Sequence, residues 1–414
     1  MAVTWERVPY AYELCGTYVK PGTNTLSAAV AAMADGDRLL LAPGVYTQSE
    51  AVTIPTSVTK FSILGSGIGA SKIVVTADVS GITSQTGSDA YRIERATIGG
   101  FTMLYDYSAH STTASGIHIF GDWTNDTLDP RIIVSDVNLA YGTNGKFFKV
   151  GIYLRNSFNP VISNALIRPS ANYASGTPAV DGIWLGSCMN GHISKVRVIG
   201  AENAIYCVKI SDSFIKDSAT KHGTEGTSFS QVMVDYSKYG ALLGAKSYVL
   251  HFSACEFAQC VNSGIFETGH ASDGGVGGYH SINGCDFDTM STATGSHHIY
   301  LERPGTRIIG CAVKEHASAN NNGICLAADA GNCTVSGNVI RAISAGDQQL
   351  LVYSDDNAIT GNVFEGTTGN AMNFQSGADN NLIVGNRYRY ASTSGDRISD
   401  SGTGNYFAGN KETA

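Results

Sequence analysis

Three short repeats set the period of the C-terminal part of this chain: Gly337-Asn-Val-Ile, Gly361-Asn-Val-Phe and Gly385-Asn-Arg-Tyr. Their asparagines, Asn338, Asn362 and Asn386, are 24 residues apart. Upstream, cysteine takes the same place in Ala254-Cys-Glu-Phe, Gly284-Cys-Asp-Phe and Gly310-Cys-Ala-Val, and the steps from Cys255 to Cys285, Cys311 and Asn338 are 30, 26 and 27 residues. A period in the twenties with loops of variable length predicts a parallel β-helix.

Equivalent residues of successive coils should stack, because neighbouring strands of a sheet lie roughly 4.8 Å apart. The cysteines and asparagines would then form one interior column. An apolar column lies two residues further on, where alternation returns the side chain to the same face; it consists of Phe257, Phe287, Val313, Ile340, Phe364 and Tyr388. This pattern predicts core thiols for the three cysteines rather than metal ligands.

A second type of strand alternates with the first and reads small–aliphatic–variable–aliphatic. Its members are Gly116-Ile-His-Ile, Gly151-Ile-Tyr-Leu, Gly182-Ile-Trp-Leu, Ala204-Ile-Tyr-Cys, Gly264-Ile-Phe-Glu, His298-Ile-Tyr-Leu, Gly323-Ile-Cys-Leu and Ala371-Met-Asn-Phe, with weaker copies at Gly240 and Gln349. We therefore expect roughly ten or more coils.

The N-terminal region predicts one short helix, with Thr25 as its cap, over residues 26–34. Leu26, Val30 and Met33 form one apolar stripe, and Gly36 suits the residue that follows a helix. The stretch from Asn24 to Tyr46, followed by Leu64-Gly-Ser-Gly-Ile-Gly-Ala-Ser-Lys-Ile73, resembles the opening of pectate-lyase-like single-stranded right-handed parallel β-helices. In that family an amphipathic helix caps the open end of the core.

The resemblance implies an all-β, right-handed parallel β-helix. The predicted organisation is an attachment segment at 1–20, the β-helix at 21–391 with its helix cap at 25–35, and a polar tail or cap at 392–414. The length of 414 residues thus indicates one elongated domain.

Composition narrows the class of protein. Hydrophobic residues make up 43% of the chain and charged residues 15%, which excludes a disordered chain. The net charge of −8 and the lack of a basic block argue against nucleic-acid binding. There is no apolar signal segment at Met1 and no run long enough to cross a membrane. The nine cysteines lack a CxxC pair and indicate reduced thiols.

The variable residue of the second strand type should face outward, and it is aromatic on most of the earlier coils. The column holds His118, Tyr153, Trp184, Tyr206, Phe266 and Tyr300, interrupted by Leu242. An exposed apolar stripe marks a ligand groove or an interface. Three interpretations stay open: a subunit interface parallel to the helix axis, a carbohydrate-binding platform, and a stripe that inserted loops simply cover.

Two groups of carboxylates are candidate catalytic residues. Glu256 and Asp286 occupy equivalent positions on neighbouring coils, and Asp288 follows on the same side; close carboxylates raise one another's pKa, as a glycoside hydrolase needs. Glu267 takes a place that is otherwise aliphatic, and Glu302 follows Tyr300 on the next coil, with Asp273 in the loop between them. The alternative for the first group is a pair of solvated surface acids, and for the second group it is that Glu267 simply leaves the core at the end of a strand.

No cofactor and no metal is expected. His297-His298 lacks a third ligand at metal spacing, and the Asp-rich calcium cluster of Ca²⁺-dependent pectate lyases is missing. The glycines at 274–278 lack the strand–loop–helix context of a phosphate site.

The architecture also resembles the β-helical body of bacteriophage tailspikes, which bind and often depolymerise capsule or O-antigen chains as homotrimers. This resemblance implies a virion tail protein made in the host cytoplasm, a bacterial surface polysaccharide as partner and, through the N-terminus, a virion adaptor protein. Whether the protein is an enzyme stays open. Hydrolysis would use the paired carboxylates, and elimination would use Tyr300 or His280 as the base. The alternatives are a non-enzymatic fibre or receptor-binding spike, and a secreted polysaccharide lyase or epimerase.

Overall fold

The structure is a computed structural model in which residues 16–86, 89–90, 93–121, 131–170, 180–208, 223–244, 246–268, 277–288, 296–314, 322–342, 348–366, 370–390 and 397–413 are described. These residues form one helix and two long parallel sheets, here named sheet I and sheet II, with a small antiparallel pair at Gln85–Thr86 and Asp89–Ala90. No helix in this part of the chain is long and apolar enough to cross a membrane.

Sheet I contains one strand from each coil and has 13 strands. In chain order they are Val52–Thr53, Ile82–Thr83, Ser115–Phe120, Val150–Arg155, Asp181–Gly186, Asn203–Val208, Tyr239–Leu243, Ser263–Glu267, His297–Leu301, Asn322–Leu326, Gln348–Val352, Met372–Phe374 and Ile398–Asp400.

Sheet II has 26 strands, because most coils contribute two strands separated by a bend. They are Thr17–Val19, Gly22–Thr23, Arg38–Leu41, Gly44–Gln48, Lys60–Gly65, Ser71–Val75, Arg95–Tyr105, Arg131–Tyr141, Val161–Arg168, His192–Ile199, Ser228–Ser230, Met233–Asp235, His251–Ser253, Glu256–Ala258, Ser281–Asn283, Asp286–Asp288, Arg307–Ile309, Ala312–Val313, Thr334–Ser336, Val339–Ala342, Ala358–Thr360, Val363–Gly366, Leu382–Val384, Arg387–Tyr390, Tyr406–Ala408 and Lys411–Thr413.

The chain alternates between the two sheets, and each strand pairs in parallel with its counterpart one coil away. Ile265 of sheet I, for example, lies between Ala241 and Ile299, and Phe257 of sheet II lies between Val234 and Phe287. These side chains fill one continuous apolar core. The predicted right-handed parallel β-helix is confirmed.

The glycine of the Gly-Asn and Gly-Cys repeats makes the bend in sheet II. Its φ is positive, near +64°, at Gly310, Gly337 and Gly361, a conformation that glycine adopts without steric cost. On the coil that contains Cys255 the same place is taken by Ala254, with φ +49°. A Cβ would meet nothing within 4 Å at the glycines Gly310, Gly337 and Gly361, so the requirement there is one of backbone conformation and not of space.

The predicted asparagine column forms a hydrogen-bonded ladder inside the bend. Asn362 is fully buried; its Nδ2 donates to Val335 O and to Asn386 Oδ1 at 2.8 and 3.0 Å. Its Oδ1 accepts the backbone and side-chain N–H groups of Asn338, both at 3.0 Å. The ladder therefore satisfies backbone groups that the bend removes from the sheet. A second ladder, which the repeat analysis did not identify, joins Asn357, Asn381 and Asn405.

The capping helix spans Thr25–Ala31, and its buried face holds Leu26 and Val30 as expected. It packs against the strands Gly44–Gln48 and Val52–Thr53, where it covers the N-terminal end of the core. The predicted N-terminal cap, Thr25, and the predicted end of the helix at residue 34 were wrong. Asn24 precedes the helix with φ 51° and makes no side-chain cap, while Thr25 Oγ1 donates to Lys20 O at 2.9 Å.

The coils reach further toward both ends than the predicted boundaries. Within the proposed attachment segment, Thr17–Val19 pairs with Arg38–Leu41. Within the proposed polar tail, Tyr406–Ala408 and Lys411–Thr413 pair with the preceding coil. Two of its polar residues, Asn405 and Asn410, continue the two asparagine ladders. Residues 397–413 therefore form a further coil in the segment predicted as a polar tail or cap.

Candidate functional site

The predicted aromatic column lies on the outer face of sheet I. Parallel pairing places its members side by side on consecutive strands: His118 beside Tyr153, Tyr153 beside Trp184, and Trp184 beside Tyr206. Leu242 follows, and the column resumes with Phe266 and Tyr300. We call this column the aromatic ladder; it consists of His118, Tyr153, Trp184, Tyr206, Phe266 and Tyr300.

The rings of the ladder stack on one another. His118 and Tyr153 have ring centroids 4.5 Å apart at an interplanar angle of 7°, and Tyr153 and Trp184 are 4.8 Å apart at 21°. The pair Phe266 and Tyr300 has the same geometry, 4.8 Å and 15°. Neighbouring rings therefore cover each other's faces, and the ladder presents ring edges to its surroundings. A sugar ring can stack on a ring face only where the stack of rings stops, at the ends of the ladder or beside Leu242.

Titratable groups lie in and beside the ladder near its N-terminal end. The Arg155 guanidinium lies 5.5 Å from the Tyr153 ring centroid and 5.2 Å from that of Phe120. Burial, with a smaller effect from Arg155, lowers the pKa of His118 to about 3, so its imidazole is neutral at physiological pH. Burial also raises the pKa of Asp181, on the Trp184 strand, to about 6.

At its C-terminal end the ladder gives way to smaller, covered side chains. Cys325 and Leu351 continue the column and are buried, at 2% and 7% exposure. Next to them the Tyr300 hydroxyl donates to Glu302 Oε1 at 3.4 Å. Burial, assisted by Glu302, raises the pKa of Tyr300 to about 12. Tyr300 is thus a proton donor to Glu302 and a poor base at neutral pH.

The first group of predicted catalytic carboxylates lies on sheet II. Glu256 and Asp286 are register neighbours, and Asp288 lies beside Ala258. Lys314 Nζ contacts Asp286 Oδ2 at 2.5 Å, and the hydrogen bond raises the pKa of Lys314. The side chains of Lys314 and Asp286 are 39% and 42% exposed. This acidic cluster, Glu256, Asp286 and Asp288, therefore belongs to a different sheet from the aromatic ladder.

Glu267, a member of the second group, points into the protein. It has no exposed surface, and its Oε1 accepts hydrogen bonds from His280 Nε2 and Arg303 Nη1 at 2.9 and 3.2 Å. Its Oε2 accepts the backbone N–H groups of Glu302 and Arg303 at 3.1 and 3.0 Å. Burial alone would raise the pKa of Glu267, but the contacts with His280 and Arg303 outweigh it and lower the value. This position is that of an internal anchor and does not reach a polymer at the surface.

His280 and Arg303 complete this buried cluster, and sequence reasoning did not assign them to it. The Leu250 N–H donates to His280 Nδ1 at 3.2 Å, so both ring nitrogens of His280 are engaged and it is not available as a surface base. Arg303 is fully buried and donates to the carbonyls of Gly244 and Thr268 at 3.2 and 3.1 Å. A charged residue at an otherwise aliphatic position, Glu267, was the one available signal.

Within the described residues there is no group of three or more His, Cys, Asp or Glu side chains arranged to hold a metal ion. Cys255, Cys285 and Cys311 are buried, unlinked thiols of the core. Asp273 lies outside the described residues.

Comparison with known proteins supports the fold. A family model described as periplasmic copper-binding protein (NosD) matches residues 278–414, about a third of the chain. No curated protein sequence matches.

Two solved structures are similar over nearly the whole chain. The tailspike protein of E. coli bacteriophage HK620, a mutant in complex with pentasaccharide, is 12% identical over 94% of this chain and 76% of its own, with a TM-score of 0.55. The catalytic unit of a thermostable GH87 alpha-1,3-glucanase from Streptomyces thermodiastaticus is 12% identical over 96% of this chain and 69% of its own, with a TM-score of 0.51. At this identity the likeness shows the shared β-helix fold.

Proposed function

We propose that this protein binds a bacterial surface polysaccharide along the outer face of sheet I, in the manner of a bacteriophage tailspike. The observation that carries the proposal is the aromatic ladder, which runs parallel to the helix axis and matches the extended form of a long glycan. The fold is shared with a tailspike that was solved with a pentasaccharide and with an alpha-1,3-glucanase.

The stacked geometry defines the kind of contact the ladder offers. Ring edges supply apolar surface, and the tyrosines Tyr153 and Tyr206 add hydroxyl groups along the same line. Hydroxyl and edge contacts repeated on successive strands give a polymer many weak contacts at once, and multivalent binding of this kind needs no deep pocket. We therefore expect affinity to rise steeply with the length of the glycan.

The test is binding to an array of capsular, O-antigen and exopolysaccharide chains. In the ladder variant Trp184→Ala, affinity for the bound polymer should fall at least tenfold, because the central ring and its support of Tyr153 are lost. Tyr406→Ala removes an equally aromatic side chain that is 61% exposed on sheet II and should leave binding unchanged. The proposal is contradicted if the parent protein binds no glycan on the array, or if Trp184→Ala and Tyr406→Ala change the affinity equally.

Depolymerisation by the acidic cluster is a second candidate activity. Neighbouring strands are about 4.8 Å apart, so the side chains of Glu256 and Asp286 leave sheet II at a spacing close to the separation of about 5–5.5 Å between the carboxyl groups of retaining glycosidases. One would protonate the leaving oxygen, with the other or Asp288 as nucleophile or base. Glu256→Gln and Asp286→Asn should then abolish the release of reducing ends, whereas Asp356→Asn, at an exposed position on another coil, should not. Full activity in the first two variants rules out this site.

Elimination is distinguished by its product. A lyase would release an unsaturated uronate that absorbs in the ultraviolet, and Glu302 beside Tyr300 would be the group to substitute. Binding without either product favours a receptor-binding spike over an enzyme.

We also infer a homotrimeric virion protein that attaches through an adaptor at its N-terminal segment. The mass in solution tests this assembly directly. A trimer in which Trp184→Arg causes dissociation would assign the ladder to the subunit interface, and a trimer that survives this substitution leaves the ladder free for glycan.

A further inference from the structure

The N-terminal end of the aromatic ladder opens into a cleft of about 380 Å³. Its lining includes Asp78, Ser80, Thr83, Thr113 and His118. This volume lies at the small end of the range for ligand sites, about 300–1,000 Å³. It is enough for a compact ligand and not for a long polymer.

The cleft exists because the ladder stops there. Tyr153 covers one face of the His118 ring at 4.5 Å. On the other side the register partner of His118 is Thr83, whose side chain is too short to continue the stack. The His118 ring therefore ends the stack and lines the cleft beside a small side chain, a setting that the stacked part of the ladder does not offer.

The polar groups of the cleft are arranged to meet hydroxyl groups. The Tyr105 hydroxyl donates to Asp78 Oδ1 at 3.1 Å, which orients a carboxylate that is otherwise exposed. His118 Nε2 is inaccessible, so this atom takes no part in the polar lining. Thr113 adds a hydroxyl, and no lysine or arginine is among the described lining residues.

We propose that this cleft is a binding subsite for one uncharged, hydroxyl-rich sugar residue, which packs against the side of His118 that lines the cleft and donates hydroxyl hydrogens to Asp78. Because the described lining offers a carboxylate and no lysine or arginine, it favours hydroxyl donors and disfavours a uronate or another acidic sugar. The claim that this sugar residue belongs to a surface glycan rests on the proposed function. The claim that the cleft binds a single sugar is tested separately.

The experiment uses the full chain and ligand-observed saturation-transfer NMR with D-glucose, D-galactose, N-acetyl-D-glucosamine and L-rhamnose, and with D-glucuronate as the charged comparison. At least one neutral sugar should give a signal and D-glucuronate should give none. Thr83→Tyr extends the ladder by one ring into the cleft and should lower the affinity for the neutral sugar at least tenfold. Asn373→Tyr, the same change at the far end of the column, should leave it unchanged.

Asp78→Asn keeps the exposed side chain's shape and should weaken the neutral sugar at least fivefold, which tests the site even if Thr83→Tyr fails to fold. The inference is overturned if no neutral sugar binds, if D-glucuronate binds as well, or if both variants bind as the parent protein does. If polysaccharide binding is sensitive to Trp184→Ala in that case, the proposed function stands without the cleft. If monosaccharides bind and no polysaccharide does, the cleft stands and the proposed function fails.

Discussion

At the residue scale, Asp181 gives the protein a pH-dependent stability. It is 4% exposed, it accepts a hydrogen bond from Asn203 Nδ2 at 2.7 Å, and burial raises its pKa to about 6. Since the unfolded value is near 3.9, the folded state favours the protonated form, and this contribution is present below about pH 4 and lost as the pH rises through 6. Asp181→Asn should therefore equal the parent protein near pH 4 and exceed it by up to about 3 kcal/mol at pH 8.

Urea unfolding of both proteins between pH 4 and pH 8 measures this difference. Asp356→Asn, at an exposed position, is the matched control and should show no such trend. A stability difference that does not vary with pH would contradict the assignment to Asp181.

Also at the residue scale, the same substitution should cost far more stability at Glu267 than at Glu302. Glu267→Gln leaves Arg303 buried without its counter-charge, and breaking a buried pair in this way costs about 3–5 kcal/mol. Glu302→Gln changes a partly buried acid and should shift stability by less than about 1 kcal/mol. Thermal unfolding of the two variants checks this; an equal, small effect in both would mean that Glu267 is not an internal anchor.

At the element scale, the asparagine ladder should be a main source of stability in the C-terminal coils. Asn362→Ala would remove the partner of Val335 O and of the backbone and side-chain N–H groups of Asn338, whereas Asn386 Oδ1 would keep the backbone N–H of residue 362. Each buried unsatisfied group costs about 1–3 kcal/mol, so a loss of at least about 3 kcal/mol is expected. Gly361→Ala, at the bend next to it, should cost only about 1–2 kcal/mol, because the new Cβ meets no atom and only the positive φ is unfavourable. Denaturant titration ranks the two variants.

The elements that the sequence predicted are those set by a regular period. The spacing from Asn338 to Asn386 identified the coils, and alternation around Trp184 identified the outward column. The buried cluster was not predictable, because His280 and Arg303 reach Glu267 from 13 and 36 residues away. The sequence placed the acidic cluster and the ladder on different types of strand, but it did not show whether their two surfaces meet, since local alternation defines which side of a strand a residue occupies and not how the sheets are arranged.

At the scale of the whole molecule, the coils should behave as interchangeable units. Deleting residues 338–361 removes one coil of 24 residues and joins Gly337 to Asn362. The bend, the two strands that each coil contributes to sheet II and the one strand it contributes to sheet I then stay in register with the remaining coils. The main packing change is Phe364 in the place of Ile340, between Val313 and Tyr388. An added side-chain volume of this size costs about 1–3 kcal/mol, so the shortened protein should fold, with the circular dichroism of the parent.

The aromatic ladder ends at Tyr300, before the deleted coil, so the shortened protein should also keep the glycan affinity of the parent. Deleting residues 350–361 instead removes half a coil and joins strands of different sheets, because the strand Gln348–Val352 belongs to sheet I. Interior and exterior positions then no longer match their neighbours on the stack, and this variant should fail to fold. Circular dichroism and sedimentation distinguish the two deletions; failure of both would mean that the C-terminal coils are one cooperative unit and not a stack of separable repeats.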